Sequence, residues 1–252
     1  MRTHMQRETD NLKRRLLKLS AGVEENVRAA VRSVENRDAV LAHTVIQRER
    51  ETDVMEVDVE EECLKILALY QPVASDLRMI IAVLKINQDL ERIGDLAVHI
   101  AERGLFLCQQ PRIALPFRLG TMADKAQAML KNVLDAFVNL DEAAAREVCA
   151  ADNEIDNINQ EIFQQVKEVI MQNPRQFESL LQILHIARHL ERIADHATNI
   201  AEDLIYLIEG RIIRHQQVPG SGDGTKEING ILMTGALSPG NVAAKGGSHA
   251  EK

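Results

Sequence analysis

Aromatic residues are scarce in this chain of 252 residues, where they make up 3% of the sequence and tryptophan is absent. Hydrophobic residues still make up 45%, so a large core has to be built from Leu, Ile, Val, Ala and Met. Glycine is also sparse before residue 216, because eight of the 13 glycines lie beyond that point. Such a composition favours an all-helical protein.

Positive charge is in deficit as well. The formal net charge is −8, whereas a surface that binds nucleic acid needs clustered Lys and Arg to neutralise phosphates. The sequence therefore argues against a nucleic-acid partner. An acidic helical chain can instead collect cations.

Long apolar runs and paired cysteines are lacking too. The longest uninterrupted apolar run, Met79–Leu84, has six residues, whereas a membrane-spanning helix needs about 20. The three cysteines, Cys63, Cys108 and Cys149, show no CxxC spacing and fit a reducing compartment. We therefore expect a cytoplasmic protein with no membrane span.

The chain contains an internal repeat. The segment LERIGDLAVHIAE (90–102) returns as LERIADHATNIAE (190–202), with nine of 13 positions identical. Upstream, residues 36–53 align with residues 139–156 at an offset of 103. Turn-forming segments separate six stretches of helical periodicity, each about 25–35 residues long. Duplication of a three-helix unit accounts for this pattern.

Short connections between long helices imply antiparallel neighbours. The predicted fold is therefore all-α, a tandem repeat of two antiparallel three-helix bundles. We place the first repeat at residues 1–112, the second at 113–215 and a flexible Gly-rich C-terminal tail at 216–252.

Acidic residues occupy unusual positions on the helices. In the third helix, Glu91 and Asp95 lie on a shoulder between the apolar core stripe and a solvated basic face that includes Lys85 and Arg92. In the second helix, Glu49 and Asp53 lie in line with apolar residues. Aligned carboxylates near apolar surface repel one another and lose hydration unless a cation is bound.

The second repeat places acids at the equivalent positions. Two neighbouring helices with such pairs would form an oxygen-rich site suited to iron, manganese, magnesium or calcium. The alternative is that the acids face water or pair with Arg92 and Arg192. The candidate ligands of both repeats are Glu49, Asp53, Glu91, Asp95, Asp152, Asp156, Glu191 and Asp195.

Other site chemistries find little support. The sequence contains no HExxH motif, and no acid stands three residues before a histidine, as it would in a ferritin-like di-iron bundle. Gly-rich phosphate loops and nucleophile–base pairs are also absent. By helical angle, four histidines project away from the acidic shoulder and are interpreted as packing or surface residues: His99, His185, His189 and His196.

The segments NQDLERIGDLAVHIAE and ARHLERIADHATNIAEDLIYLIEGRIIRH resemble the PhoU family of accessory regulators of bacterial phosphate-specific transport. The resemblance covers about residues 2–215 and implies two three-helix bundles whose E(D)xxxD motifs bind multinuclear iron or other metal clusters. By position, it assigns four of the candidate ligands to each site. Manganese, magnesium, zinc or another divalent cation remains an alternative to iron.

The resemblance further implies a non-enzymatic repressor of phosphate uptake and of the phosphate-starvation response. Its expected partners are the ATPase subunit of the phosphate ABC transporter, a phosphate-sensing membrane histidine kinase and a second copy of the chain. These partners would recruit it to the inner face of the membrane. Two other functions remain open: a metal-independent helical adaptor, and a carboxylate-bridged hydrolase or oxidase.

Overall fold

A computed structural model describes residues 2–113 and 118–210, and within these ranges the chain is helical with no strand. Six long helices account for it. Their bounds are Arg2–Asn36 (α1), Ala39–Tyr70 (α2), Ala74–Cys108 (α3), Leu119–Asn139 (α4), Glu142–Gln172 (α5) and Phe177–Glu209 (α6).

The helices pack as two three-helix bundles, α1–α3 and α4–α6, which meet mainly where α3 contacts α6. The predicted all-α tandem repeat is therefore confirmed. None of the described helices is both long and apolar enough to cross a membrane. The tail predicted for residues 216–252 lies outside the described residues.

Equivalent aspartates begin the middle helix of each bundle. The Asp38 carboxylate accepts a hydrogen bond of 2.9 Å from the backbone N–H of Leu41, and Asp141 accepts one of 3.1 Å from the N–H of Ala144. Each bond satisfies an N–H group that has no partner within its helix. The two caps are 103 residues apart, which is the offset of the internal repeat. Helices α2 and α5 therefore begin at equivalent positions of the two repeats.

Close packing within the first bundle depends on a small residue near the end of α3. A Cβ atom added at Gly104 would lie 3.1 Å from Cγ2 of Val34 and 3.3 Å from Oγ of Ser33 on α1. Glycine therefore lets α1 and α3 approach closely. The sequence-predicted core stripe of α3 is buried at Val83, Ile86, Leu90, Ile93, Ala97 and Ile100.

Helices α3 and α6 lie side by side and antiparallel. Lys85 contacts Asp203 near one end of this seam, and His99 stacks on His189 toward the other. Since residue numbers rise on α3 as they fall on α6, an approximate two-fold axis passes near Ile93 and Ile193, both fully buried. The axis exchanges residues that are 100 positions apart in the sequence.

Helical angle predicts that Lys85 lies on a solvated face, and its side chain is 36% exposed. Its Nζ atom nevertheless lies 3.0 Å from Oδ1 of Asp203, whose side chain is only 2% exposed. The sequence did not predict this ion pair because an isolated helix pattern does not show that a second repeat packs against this side of α3. The ion pair ties the two bundles together.

We expect Lys85→Met to destabilise the protein, because it leaves the buried Asp203 carboxylate without this cation. The loss should be about 1–3 kcal/mol in the free energy of unfolding, the usual cost of a buried polar group deprived of its partner. Urea denaturation measures it. Lys125→Met is the matched control, since the Lys125 side chain is also 36% exposed but pairs with Glu154, whose side chain is 54% exposed. Equal losses in the two variants would contradict the structural role of Lys85.

Candidate metal centres

The first group of carboxylates lies between α2 and α3. Glu49 and Asp53 are one helical turn apart on α2. Burial raises the pKa of Glu49, and the negative charges of Asp53, Asp95 and Glu102 raise it further. Because two of these neighbours lie on α3, the acids of both helices face a common region.

Glu91 completes this group. Burial raises its pKa, as do Asp95 and Asp53, whereas Arg92 lowers it. Nε of Arg92 lies 3.2 Å from Oε2 of Glu91, and its Nη1 lies 3.4 Å from Oδ2 of Asp95. Helical angle predicts that these acids lie apart from the basic face of α3. The contacts of Arg92 show that they do not. The Arg92 side chain is 60% exposed, so these pairs stabilise the ionised acids only weakly.

The second group lies at the equivalent place between α5 and α6. Burial raises the pKa of Glu191, as do Asp195 and Asp156, while Arg188 lowers it. The ion pair to Glu191 comes from Arg188 on the preceding turn, not from Arg192 as the sequence suggests. Only 13% of the Glu191 side chain is exposed, against 30% for Glu91.

The position of Asp152, the remaining predicted ligand, is indicated by its effect on a nearby cysteine. Burial raises the pKa of Cys149 to about 11, and the negative charges of Glu202 and Asp152 contribute. These carboxylates therefore lie near the Cys149 thiol on the α5–α6 side. Four of the eight predicted residues thus lie on α2 and α3, and the other four lie on α5 and α6.

Three further acids join these groups although they were not among the predicted ligands. Glu102 and Glu202 close the repeated 13-residue segment, so the internal repeat was the signal that could have identified them. Glu56 lies one turn after Asp53. Its pKa is raised by burial and by the charges of Glu60, Glu91 and Asp53.

Comparison with known proteins agrees with this duplicated arrangement. The PhoU domain model matches the chain twice, at residues 16–104 and 119–204. The chain belongs to the PhoU family. Each match spans most of one three-helix bundle.

Curated family members resemble the chain along most of its length. A protein of Aquifex aeolicus (strain VF5), named phosphate-specific transport system accessory protein PhoU homolog, is 34% identical over 217 residues, which cover 86% of this chain and 98% of the relative. A homolog of the same name from Pseudomonas putida is 36% identical over 232 residues, covering 91% and 89%.

Solved PhoU structures share the fold. The crystal structure of PhoU from Pseudomonas aeruginosa has a TM-score of 0.80 at 36% identity and covers 82% of this chain and 99% of that one. The phosphate transport system regulatory protein PhoU from Streptococcus pneumoniae gives a TM-score of 0.74 at 30% identity, with 82% and 98% covered.

The donor chemistry of this chain fits a hard cation. Each group supplies carboxylates from two helices, and these carboxylates raise one another's pKa, as expected where positive charge is deficient. Within residues 2–113 and 118–210, however, no three His, Cys, Asp or Glu side chains converge closely enough to hold an ion. The side chains would therefore have to rotate to share one.

The four histidines that were interpreted as packing or surface residues form contacts along the α3–α6 seam. Nδ1 of His196 lies 2.8 Å from Oδ1 of Asp89. The rings of His99 and His189 stack with centroids 5.3 Å apart, and those of His185 and His189 are 6.5 Å apart. They are interface residues, which periodicity within one helix does not reveal.

We expect Glu49→Gln to stabilise the metal-free protein at pH 7. The folded-state pKa of Glu49 is raised above its ordinary value, so the ionised group opposes folding at neutral pH, and this penalty fades as the pH falls through the raised pKa. The gain should be about 0.3–0.5 kcal/mol and should vanish in acid. Urea denaturation at several pH values measures it.

Glu51→Gln is the matched control, because Glu51 is exposed on the same helix and carries the same charge. A smaller gain in this variant is expected. An equal gain, or a loss of stability in Glu49→Gln, would show that the acidic group is not electrostatically strained.

Proposed function

We propose that this chain is a non-enzymatic accessory regulator of phosphate transport that binds cations at two acidic sites. The observation that supports the cation sites best is their repetition. In both bundles, a pair of acids on the middle helix faces a pair on the last helix, and burial and mutual repulsion raise the pKa of Glu49, Glu91 and Glu191. The names of the relatives support the pathway.

Two sets of four residues would hold the metal. Iron in multinuclear clusters is the proposed ion, with manganese, magnesium, zinc or another divalent cation as alternatives. When bound, a cation supplies the positive charge that these carboxylates lack. The sets are Glu49, Asp53, Glu91 and Asp95 in the first repeat, and Asp152, Asp156, Glu191 and Asp195 in the second.

Such a cation would stiffen the molecule by linking α2 to α3 and α5 to α6. The carboxylates lie on long helices whose opposite faces are buried in the core, so metal binding would favour one packing of each helix pair. A partner protein could then recognise the surface of the metal-bound helix pairs.

The proposed partners are the ATPase subunit of the phosphate ABC transporter and a phosphate-sensing membrane histidine kinase. The relatives' names support an accessory role beside the transporter. By linking the two partners, this chain would repress phosphate uptake and the starvation response when phosphate is plentiful. We further propose a homodimer in the cytoplasm, recruited to the inner face of the membrane by these partners.

A metal-independent adaptor is the second candidate function, and specific contacts favour it. Arg92 pairs with Glu91 and Asp95, and Arg188 pairs with Glu191. These arginines supply some of the positive charge that a metal would provide. In this alternative, the acids form part of a protein-binding surface.

Metal content distinguishes the two functions. We expect several iron or manganese ions per chain in protein purified without an affinity tag or chelator, measured by inductively coupled plasma mass spectrometry. Glu91→Gln/Asp95→Asn should lose the metal of the first site, and Glu191→Gln/Asp195→Asn that of the second, because each change removes two carboxylate ligands.

Glu51→Gln/Asp58→Asn is the control, since it removes the same charge from exposed positions on α2 and should keep the metal. Wild-type protein without metal, and acidic-site variants as stable as wild type, would favour the adaptor.

The regulatory proposal is tested in cells. We expect deletion of the gene to raise alkaline phosphatase activity at high phosphate, because the starvation response would no longer be repressed. Re-expression of the wild-type chain should restore repression. An unchanged reporter after deletion would contradict the proposed function, and full repression by both acidic-site variants would show that regulation does not need the metal.

A further inference from the structure

The approximate two-fold axis between α3 and α6 relates two surface regions that have diverged in charge. The first is a cleft of about 890 Å³, which we call the acidic cleft. Two bases against five acids give its lining a formal charge of −3. Its residues are Glu56, Lys85, Gln88, Asp89, Glu91, Arg92, Asn199, Glu202 and Asp203.

The counterparts of these residues follow from the offsets of the repeat. Equivalent residues are 100 positions apart on α3 and α6 and 103 positions apart on α2 and α5. They comprise three arginines, three histidines, two glutamates and one asparagine. With neutral histidines, three arginines against two glutamates give +1, so duplication has produced two regions of opposite charge. In the same order, the counterparts are Asn159, His185, Arg188, His189, Glu191, Arg192, His99, Glu102 and Arg103.

Contacts across the seam show the same divergence. On the acidic side, Lys85 pairs with Asp203 at 3.0 Å, and Asp89 accepts a hydrogen bond from Asn199. The corresponding positions on the other side hold His185 and Arg103, and His189 and His99, whose rings stack. The ion pair and the hydrogen-bonded pair of the acidic cleft thus correspond to two pairs of basic residues. We call His99, Arg103, His185, His189 and Arg192 the basic cluster.

Polar atoms of the basic cluster lack partners. Nε of Arg103 is a buried donor without an acceptor, and both ring nitrogens of His189, one of which is a donor in the neutral ring, are buried without a hydrogen-bond partner in the described part of the chain. The centroid of the His189 ring lies 5.3 Å from that of His99 and 6.5 Å from that of His185. A buried donor without an acceptor raises the free energy of the folded state. A bound anion that accepts its hydrogen bond would therefore be stabilising.

Neighbouring acids do not supply that acceptor. Glu191 is held by Arg188. Glu102 is exposed at the surface of α3, and Glu49 on α2 interacts with His99 and with the acids of the first site. The deficit of negative charge is therefore local to the seam.

A ligand can reach the outer edge of the cluster. The side chains of His99, His185 and Arg192 are exposed, and His185 and Arg188 line a cavity of about 1030 Å³ between α5 and α6. Amide side chains on the α5 wall, including Gln160 and Gln164, add further hydrogen-bonding groups.

We propose that the basic cluster binds a phosphate oxyanion, either free orthophosphate or a phosphoryl group of a nucleotide. Guanidinium groups match the oxygens of a phosphate geometrically, and imidazole N–H groups donate to them. Because these nitrogens are buried, the exposed side chains of His99 and His185 would have to move aside for a bound phosphate to supply the missing acceptors for Arg103 and His189. The site needs no metal, so it stands apart from the proposed cation sites.

Isothermal titration calorimetry tests the proposal on the full-length chain, freed of metal with a chelator that is then dialysed away. Orthophosphate and ATP are titrated separately, with chloride as the background anion. Arg103→Gln and Arg192→Gln should each weaken binding by about tenfold or more, because each removes a charge-assisted donor. Arg92→Gln is the matched control, since Arg92 occupies the position equivalent to Arg192 in the acidic cleft, and should bind like wild type.

Each outcome decides the matter. Binding of orthophosphate identifies free phosphate as the ligand, and binding of ATP alone identifies a nucleotide; both support the proposal if the two variants lose it. No binding of either probe, or equal binding by wild type and both variants, would overturn it. So would phosphate binding that appears only after metal is restored. Circular dichroism checks folding, and the exposed Arg192 variant decides if Arg103→Gln does not fold.

Discussion

The packing of α3 against α6 is the constraint on which the rest of the molecule depends. It buries Ile93 and Ile193 near the two-fold axis and joins the bundles through the Lys85–Asp203 ion pair. Both helices also carry acids on the sides that face α2 and α5. The seam therefore fixes the positions of the two acidic groups and of the two surface regions of opposite charge.

Duplication kept some of these features and changed others. The carboxylate groups persist in both repeats, although mutual repulsion and burial oppose the ionised state of Glu49 and Glu191. Along the seam, by contrast, Asp89 and Asp203 of the acidic cleft correspond to His189 and Arg103. Equivalent backbone positions thus carry clustered acids in two places and clustered bases in a third, without any change of fold.

Much of this could be predicted from the sequence, since the repeat and the helical periodicity specify the helices, the bundles and the acid pairs on each helix. What periodicity cannot show is which helix covers which face. Lys85 therefore looked solvated, and His189 looked like an isolated surface or packing residue, although both lie where α3 meets α6. The arginine that pairs with Glu191 also depends on side-chain conformation, which spacing alone does not determine.

The duplicated helix pairs are proposed to form two separate cation sites. Anomalous diffraction at the iron absorption edge, from crystals grown with ferrous or ferric iron, would locate the ions. We expect one peak among Glu49, Asp53, Glu91 and Asp95 and another among Asp152, Asp156, Glu191 and Asp195. Peaks only at the histidines of the seam, or no ordered iron in well-diffracting crystals, would contradict this proposal.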